Sequence, residues 1–183
     1  MSANTKKLIV SAFYDLAEIK PLDKITVKDV VEACGITRQT FYYHFQDILD
    51  VIEWSLTQHS QQLAEKTLAA KSTREAFRIM LSILEEDSAV IDHLIQSRKR
   101  DPVERLLLAS IKSYFAALIP RKLVRTAWAI DELETVLNFY SYAIIGVLLE
   151  NIGKKDLDLD RLADQLERLA RGEYFYRQFP ETP

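Results

Sequence analysis

Residues 26–45 read TVKDVVEACGITRQTFYYHF, and this stretch decides the fold. Thr26 is a natural helix N-cap, and Asp29, three residues on, makes an acidic version of the capping box. Val30, Val31 and Ala33 give the segment from Val27 to Cys34 an apolar side at helical spacing. Gly35 stands where a helix ends in left-handed backbone, a conformation glycine adopts with no Cβ penalty. Thr37 then caps a second short helix that runs to about Phe45. Phe41 and Phe45 are four apart, share a face and are assigned to a core; the alternative role for them is a wedge between bases. Two short helices joined at a glycine turn form a helix-turn-helix pattern. The second helix is dense in hydrogen-bonding and aromatic side chains, which is what a helix entering a DNA major groove needs.

Working outward, the spacing predicts a helix from Thr5 with an apolar stripe of Leu8, Ala12, Leu16 and Ile19, flanked by Ile9 and Phe13. Pro21 ends it, because proline disfavours helix at the residue before it. Asp47 caps a long fourth helix whose apolar side, Ile48, Val51, Ile52, Leu56 and Leu63, continues to about Ala70. Further helices are expected over 73–86, 88–97, 102–118, 123–152 and 159–171. Ser72, Asp87 and Asp158 act as start signals, Pro102 suits a first turn, and Pro120 and Gly153 mark breaks. The reading is all-α: a three-helix head over 1–46 and a helical body over 47–183, joined rigidly through the fourth helix. The tail GEYFYRQF at 172–179 is expected to fold back, because a free tail would expose its four aromatics.

The stretch VLNFYSYAIIGVLL at 136–149 is almost wholly apolar or aromatic. A helix apolar all round must be buried on all sides, which in a body this small implies a second subunit. Gly146 inside it costs about 1 kcal/mol of helix propensity relative to alanine. A close approach of another helix backbone, most naturally at a dimer interface, would explain that cost.

Composition limits the function. The chain has 183 residues, 48% of them hydrophobic and 28% charged, as in a globular protein. A single cysteine, Cys34, excludes an intrachain disulfide framework and fits a reducing interior. It reads as a small residue packed beside Gly35, with a redox switch as the alternative. The segment MSANTKK lacks the apolar run of a secretory signal, and no uninterrupted apolar run reaches about 18 residues, so a cytoplasmic protein without a membrane partner is expected. The net charge is −3, and residues 1–46 hold six Lys/Arg against five Asp/Glu, so a DNA-binding head would be nearly neutral. Any favourable field must come from local placement and from helix N-termini. The three histidines, His44, His59 and His93, are far apart in sequence, and there is no HExxH, no CxxC, no glycine-rich phosphate loop and no nucleophile elbow. No enzyme activity, cofactor or metal is therefore expected.

The segment from Lys7 to Phe45, with DKITVKDVVEACGITRQTFYYHF and the start of the fourth helix, resembles the TetR family of bacterial transcription regulators. The wording PLDKITVKDVVEACGITRQTFYYHFQDILDVIEW, with YSYAIIGVLLEN at 140–151, is further similar to a subgroup of dihydroxyacetone kinase regulators. The resemblance implies a homodimeric DNA-binding regulator, repressor or activator. Two helices from each body would form a four-helix bundle at the interface, on this chain through Ile145, Gly146 and Leu149 with Leu162 and Leu166. It also implies that a ligand or partner bound to the body alters head spacing and operator affinity. Many members carry a phosphate-gripping lysine at the start of the fourth helix, where this chain has Gln46, Asp47 and Ile48. Losing one phosphate contact flattens the dependence of log affinity on log salt by roughly 0.9.

Within that frame, Arg38, Gln39, Thr40 and Tyr42 are the expected base contacts, with Lys28 able to reach base or backbone. Arginine forks onto guanine, glutamine pairs with adenine, and a threonine methyl meets a thymine methyl. Arg38, on the first turn, could reach a phosphate instead. Thr26, Thr37, Tyr43 and His44 are phosphate candidates, the two threonines being equally readable as purely structural caps. His93, Trp128, Asn138, Tyr140, Ser141 and Tyr142 are polar or amphipathic groups in apolar surroundings that could line an effector pocket, although such residues are more often core or interface residues with satisfied polar tips. Two other functions remain open: a regulator whose body binds a protein partner as a co-activator, and a helical scaffold that has lost DNA binding.

Overall fold

The computed structural model describes residues 2–86, 88–119, 130–154 and 156–176. The expected helices are present, in the order α1 (Ser2–Ile19), a 3-10 turn (Leu22–Lys24), α2 (Val27–Cys34), α3 (Arg38–His44) and α4 (Ile48–Leu68). There follow α5 (Thr73–Leu81), α6 (Ile83–Glu86), α7 (Ser88–Ile95), α8 (Arg100–Leu118), α9 (Ile130–Asn151), α10 (Leu159–Ala170) and the short α11 (Glu173–Tyr176). No strand occurs among the described residues. Asp87, Pro120, Trp128 and the 123–129 start of the long expected helix lie outside them, as do residues 177–183.

Three boundaries differ from expectation, each for a local reason. α1 begins at Ser2, so Thr5 sits inside the helix, because none of the residues ahead of it is a helix breaker. The expected 73–86 helix breaks at Ser82, whose hydroxyl and backbone N–H both turn back to the Ile79 carbonyl, at 2.9 and 3.2 Å. A serine that offers the backbone such a local partner competes with the helical ladder. α8 starts at Arg100, which places Pro102 within its first turn, where a missing N–H costs nothing.

The core has two parts. The first gathers Ile9, Phe13, Val30, Phe41, Phe45, Val51 and Ile52 from α1 to α4, and also Val90 and Leu94 of α7 and Val103 and Leu107 of α8. The apolar interior of the first three helices thus continues into the helices that follow. Polar clips reinforce that joint. The Asp23 carboxylate accepts from the Arg98 backbone N–H at 3.0 and 3.2 Å, and His93 Nδ1 donates to the Ala17 carbonyl at 2.7 Å. The second part joins Met80 and Leu81 of α5, Tyr114 of α8, Ile144 and Leu148 of α9, and Leu159, Ala163 and Leu166 of α10. Arg74 on α5 fastens α10 by ion pairs to Asp160, at 2.9 Å, and to Asp164.

The long apolar helix is not buried on all sides within the protomer. α9 turns Ile144 and Leu148 inward, while Phe139, Tyr142, Ala143 and Gly146 form an exposed stripe at helical spacing. By length and composition alone, Glu132–Asn151 is apolar enough to cross a membrane, and 17% of that window is buried within the protomer. Its inward face packs on α8, as in the body helix of a globular protein. Two of the residues expected between subunits also pack within the protomer. Leu166 is only 6% exposed, because it is on the face of α10 that packs against α5, and Leu162 packs beside it.

Candidate nucleic-acid interface

The helix-turn-helix is built by local chemistry. The Thr26 hydroxyl accepts from the Asp29 N–H at 3.2 Å, and the Asp29 carboxylate accepts in return from the Thr26 N–H at 2.8 Å and from the Thr26 hydroxyl. Lys20 adds an ion pair at 3.3 Å. These donors, the threonine first, hold the Asp29 carboxyl down at about 2. Both donors of Thr26 are thus engaged by Asp29, so in the free protein this residue is a structural cap. Gly35 ends α2 at φ +66°, and the Ile36 N–H donates to the Val31 carbonyl at 3.1 Å, closing the turn in the Schellman manner. Cys34 is half-buried with its Sγ 3.7 Å from the Leu8 carbonyl, and burial pushes its thiol pKa up, away from thiolate reactivity.

On α3 the two faces separate cleanly. Phe41 and Phe45 are buried against the core, with their rings 6.0 Å apart. Arg38, Gln39, Tyr42 and Tyr43 are exposed, Tyr42 at 58% and Tyr43 at 81%. Residues four apart stack along a helix, so Arg38 and Tyr42 form one row and Gln39 and Tyr43 the row beside it. Seven residues span about 10 Å of helix, which fits a major groove about 12 Å wide. Tyr42 is steadied by an edge contact with Phe41 at 5.5 Å, and Tyr43 by one with the half-buried His44 at 5.0 Å. Thr40 is half-buried and its hydroxyl is bonded to that of Thr37 at 2.9 Å, while the Thr37 hydroxyl also accepts from the Thr40 N–H. Lys28 is exposed on α2 and paired with Glu32 at 3.7 Å.

The corner after Phe45 carries acids. The Asp47 carboxylate accepts from the Asp50 N–H at 3.0 Å and the Asp50 carboxylate accepts from the Gln46 N–H at 2.8 Å, capping α4 reciprocally. One cation does stand here, from the far end of α1. The Lys6 ammonium lies 5.0 Å from the centre of the Phe45 ring and 5.8 Å from that of Trp54, with no ion pair to it among the described residues. Sequence reading missed Lys6 because 39 positions separate it from Phe45 and only the packing of α1 against α3 and α4 brings them together.

In the body, a cavity of about 180 Å³ opens between α4, the α5–α6 region, α7, α8 and α9. Its wall is mainly aliphatic, with Leu56, Met80, Ile111 and Ile144 among the contributors, and the exposed Gln62, Lys66 and Glu86 stand at its rim. None of the described residues expected to line a pocket lines this cavity. His93 is tied to α1, Asn138 is half-buried on α9, and Tyr140 and Tyr142 face outward. Trp128 lies outside the described residues. Ile145 and Leu149, expected between subunits, are also among the residues that line the cavity. Among the described residues no cluster of three or more His, Cys, Asp or Glu is arranged to hold a metal.

An all-helical chain with a capped helix-turn-helix, an exposed polar and aromatic face on its second helix, and a hollow body has the organisation of a DNA-binding transcription regulator. Comparison with known proteins agrees. Residues 9–53 match the model of bacterial regulatory proteins of the tetR family, and residues 71–172 match that of a transcriptional regulator C-terminal region. The chain belongs to the TetR family of DNA-binding regulators. It is 23% identical, over 90% of its length and 88% of the relative's, to the HTH-type dhaKLM operon transcriptional activator DhaS of Lactococcus lactis subsp. lactis (strain IL1403). Its fold matches the solved dihydroxyacetone kinase operon activator DhaS at a TM-score of 0.66 and 21% identity, covering 92% of this chain and 95% of that one. It also matches the fatty acid degradation regulator FadR from Bacillus halodurans at a TM-score of 0.57 and 17% identity, covering 91% and 94%.

Proposed function

We propose that the chain acts in the cytoplasm as a homodimer that binds a roughly palindromic operator and is controlled by a small molecule held in the body cavity. Residues 1–46 read the DNA, and 47–183 dimerise and sense. The observation that carries this reading is the two-faced α3, with Phe41 and Phe45 buried and Arg38, Gln39, Tyr42 and Tyr43 exposed in adjacent rows. Arg38, Gln39 and Tyr42 contact base edges, with the Thr40 methyl against a thymine and Lys28 reaching from α2. Tyr43, His44 and the N-terminus of α3 at Thr37 contact phosphates, and Lys6 supplies the cation that the corner after Phe45 lacks. The Thr26 hydroxyl would have to leave Asp29 to donate to a phosphate, so its contribution is the cap.

The exposed stripe of Phe139, Tyr142, Ala143 and Gly146 is the dimer face of α9. A Cβ added at Gly146 would meet nothing within 4 Å in the protomer, which leaves room for a second helix to approach closely. Leu169 of α10, exposed at 44%, extends this surface. The co-activator reading has one supporting observation, the likeness to an operon activator. The cavity favours a small molecule, and the apolar stripe is accounted for by dimerisation.

A gel-shift against DNA selected from a random-sequence pool tests the DNA assignment. Joint replacement of Gln39 and Tyr42 by alanine should abolish specific binding while the circular dichroism spectrum and dimer mass stay unchanged. Retained specific affinity in that variant would overturn it.

A further inference from the structure

The cavity wall is mainly Leu, Ile and Met, and the polar side chains inside its rim already have partners within the protein. Ser60 donates to the Thr57 carbonyl at 2.9 Å, Ser82 to the Ile79 carbonyl at 2.9 Å and Ser110 to the Leu56 carbonyl at 3.0 Å. Tyr114 shares a 3.1 Å hydrogen bond with Thr67, and the half-buried His59 shares one of 3.3 Å with the Tyr14 phenol. Among the described residues one buried side-chain polar atom lacks a hydrogen bond, Ser141 Oγ, and Ser141 is not part of the wall. Lys66 and Glu86, the ionic side chains of the wall, are exposed, as is Gln62.

This distribution decides what the space can hold. A site that selects a polar molecule keeps buried polar groups that only the ligand satisfies, and it rejects molecules that lack the matching atom. The wall makes no such demand, so an apolar occupant strands nothing. A polar occupant exchanges its hydrogen bonds to water for shared bonds with groups that are already engaged. An ion also gives up its hydration, with no Asp, Glu, Lys or Arg inside the rim to face it. Size sets the second limit. An apolar cavity of about 150 Å³ takes a benzene molecule, so about 180 Å³ suits a benzene ring with a short substituent.

From this we infer the ligand class: an uncharged, apolar molecule such as an alkylbenzene, recognised by its shape and by the surface it removes from water. The inference rests on the cavity being the effector site. Leu56 of α4 and Leu107 of α8 belong both to the cavity wall and to the core that continues from the first three helices. An occupant that packs on them therefore acts on the side chains that seat the head, because a close-packed interior transmits a change in volume. An apolar ligand needs no polar relay to be sensed.

The test uses probes of nearly equal shape: isopropylbenzene, benzamide, benzoate and benzamidine. Each is a phenyl ring with one branched substituent, respectively apolar, neutral polar, anionic and cationic. Titrations of the full chain are followed by the methyl NMR signals of Ile144 and Leu148. Isopropylbenzene should bind about tenfold or more tightly than each of the others, the order of the cost of burying an imperfectly paired polar group. A smaller difference for any of the three would overturn the ligand class. Ile111→Asn, or Leu149→Gln if the first fails to fold, places an amide in the wall and should bring isopropylbenzene and benzamide to within about threefold of each other. An unchanged difference would overturn wall polarity as its cause. Isopropylbenzene should also change the affinity for selected operator DNA in fluorescence anisotropy. Binding at Ile144 and Leu148 without that change would overturn the effector role and leave the cavity's preference standing. Absence of any shift with all the probes would overturn the cavity as a binding site, and the ligand class with it.

Discussion

Lys6→Met is the most discriminating single change in the head. Methionine keeps an apolar stem over Phe45 and Trp54 and removes only the ammonium, which stands 5.0 and 5.8 Å from those ring centres. Lys6 is half-buried, and a cation–π contact contributes from about 0.5 kcal/mol when exposed to about 2 kcal/mol when desolvated, so the head should lose no more than about 2 kcal/mol in stability. The effect on DNA is larger and has a definite form. Each phosphate contact contributes about 0.9 to the slope of log affinity on log salt, and a dimer has two heads, so the variant's slope should be shallower by about 1.8. Raising salt from 50 to 200 mM should then shrink the wild-type advantage by about twelvefold. Fluorescence anisotropy with a selected operator across that range measures it, with urea unfolding as the control for folding. Lys6→Arg should restore the slope. A Lys6→Met slope parallel to that of the wild type, in a variant that is still fully folded under the assay conditions, would show that Lys6 touches no phosphate.

Three other outcomes follow from the geometry. Gly35→Ala forces a side chain into left-handed backbone at φ +66°, but into open space, so its cost should be backbone strain alone, about 1–2 kcal/mol in urea unfolding, with Gly35→Asn costing less. The Asp29 carboxyl is held at about 2, below its ordinary 3.8, so its stabilising contribution is complete above the ordinary value and disappears as pH falls through the folded one. Asp29→Asn should therefore flatten the acid limb of the stability curve between those values, and an unchanged limb would remove the capping box from the account. Tyr142→Glu on the exposed stripe of α9 should convert dimer to monomer in sedimentation velocity without unfolding the protomer, because Tyr142 is already 60% exposed there. A dimer of unchanged strength would place the interface elsewhere.

The legible part of this protein is its local part. The Thr26–Asp29 box, the Gly35 turn, the Thr37 and Asp47 caps and the inward Phe41 and Phe45 all appear where the residues place them. The caps and the turn depend on partners within five positions along the chain, so the sequence contains the whole interaction, while Phe41 and Phe45 are marked by their shared helix face. The exposed rows of α3 follow from the same periodicity, since burying one face of a helix fixes the other. In the body that logic loses its grip. An apolar stripe says that a helix face is covered, not by what. Leu166 meets α5 of its own chain, Ile145 and Leu149 line a cavity, and Phe139 and Tyr142 remain outside. Polar residues in apolar surroundings are equally ambiguous, because any nearby carbonyl can satisfy them. His93 bonds to Ala17, 76 positions away, whereas His59, plain in sequence, lines the cavity and meets Tyr14. The sequence by itself determined an all-helical DNA-binding head with its caps and the exposed side chains of α3. Only the tertiary structure decided that Lys6 stands at the acidic corner after Phe45 and that His59 lies between cavity and head. Those positions are set by how separate helices pack against one another, and no short-range pattern encodes that.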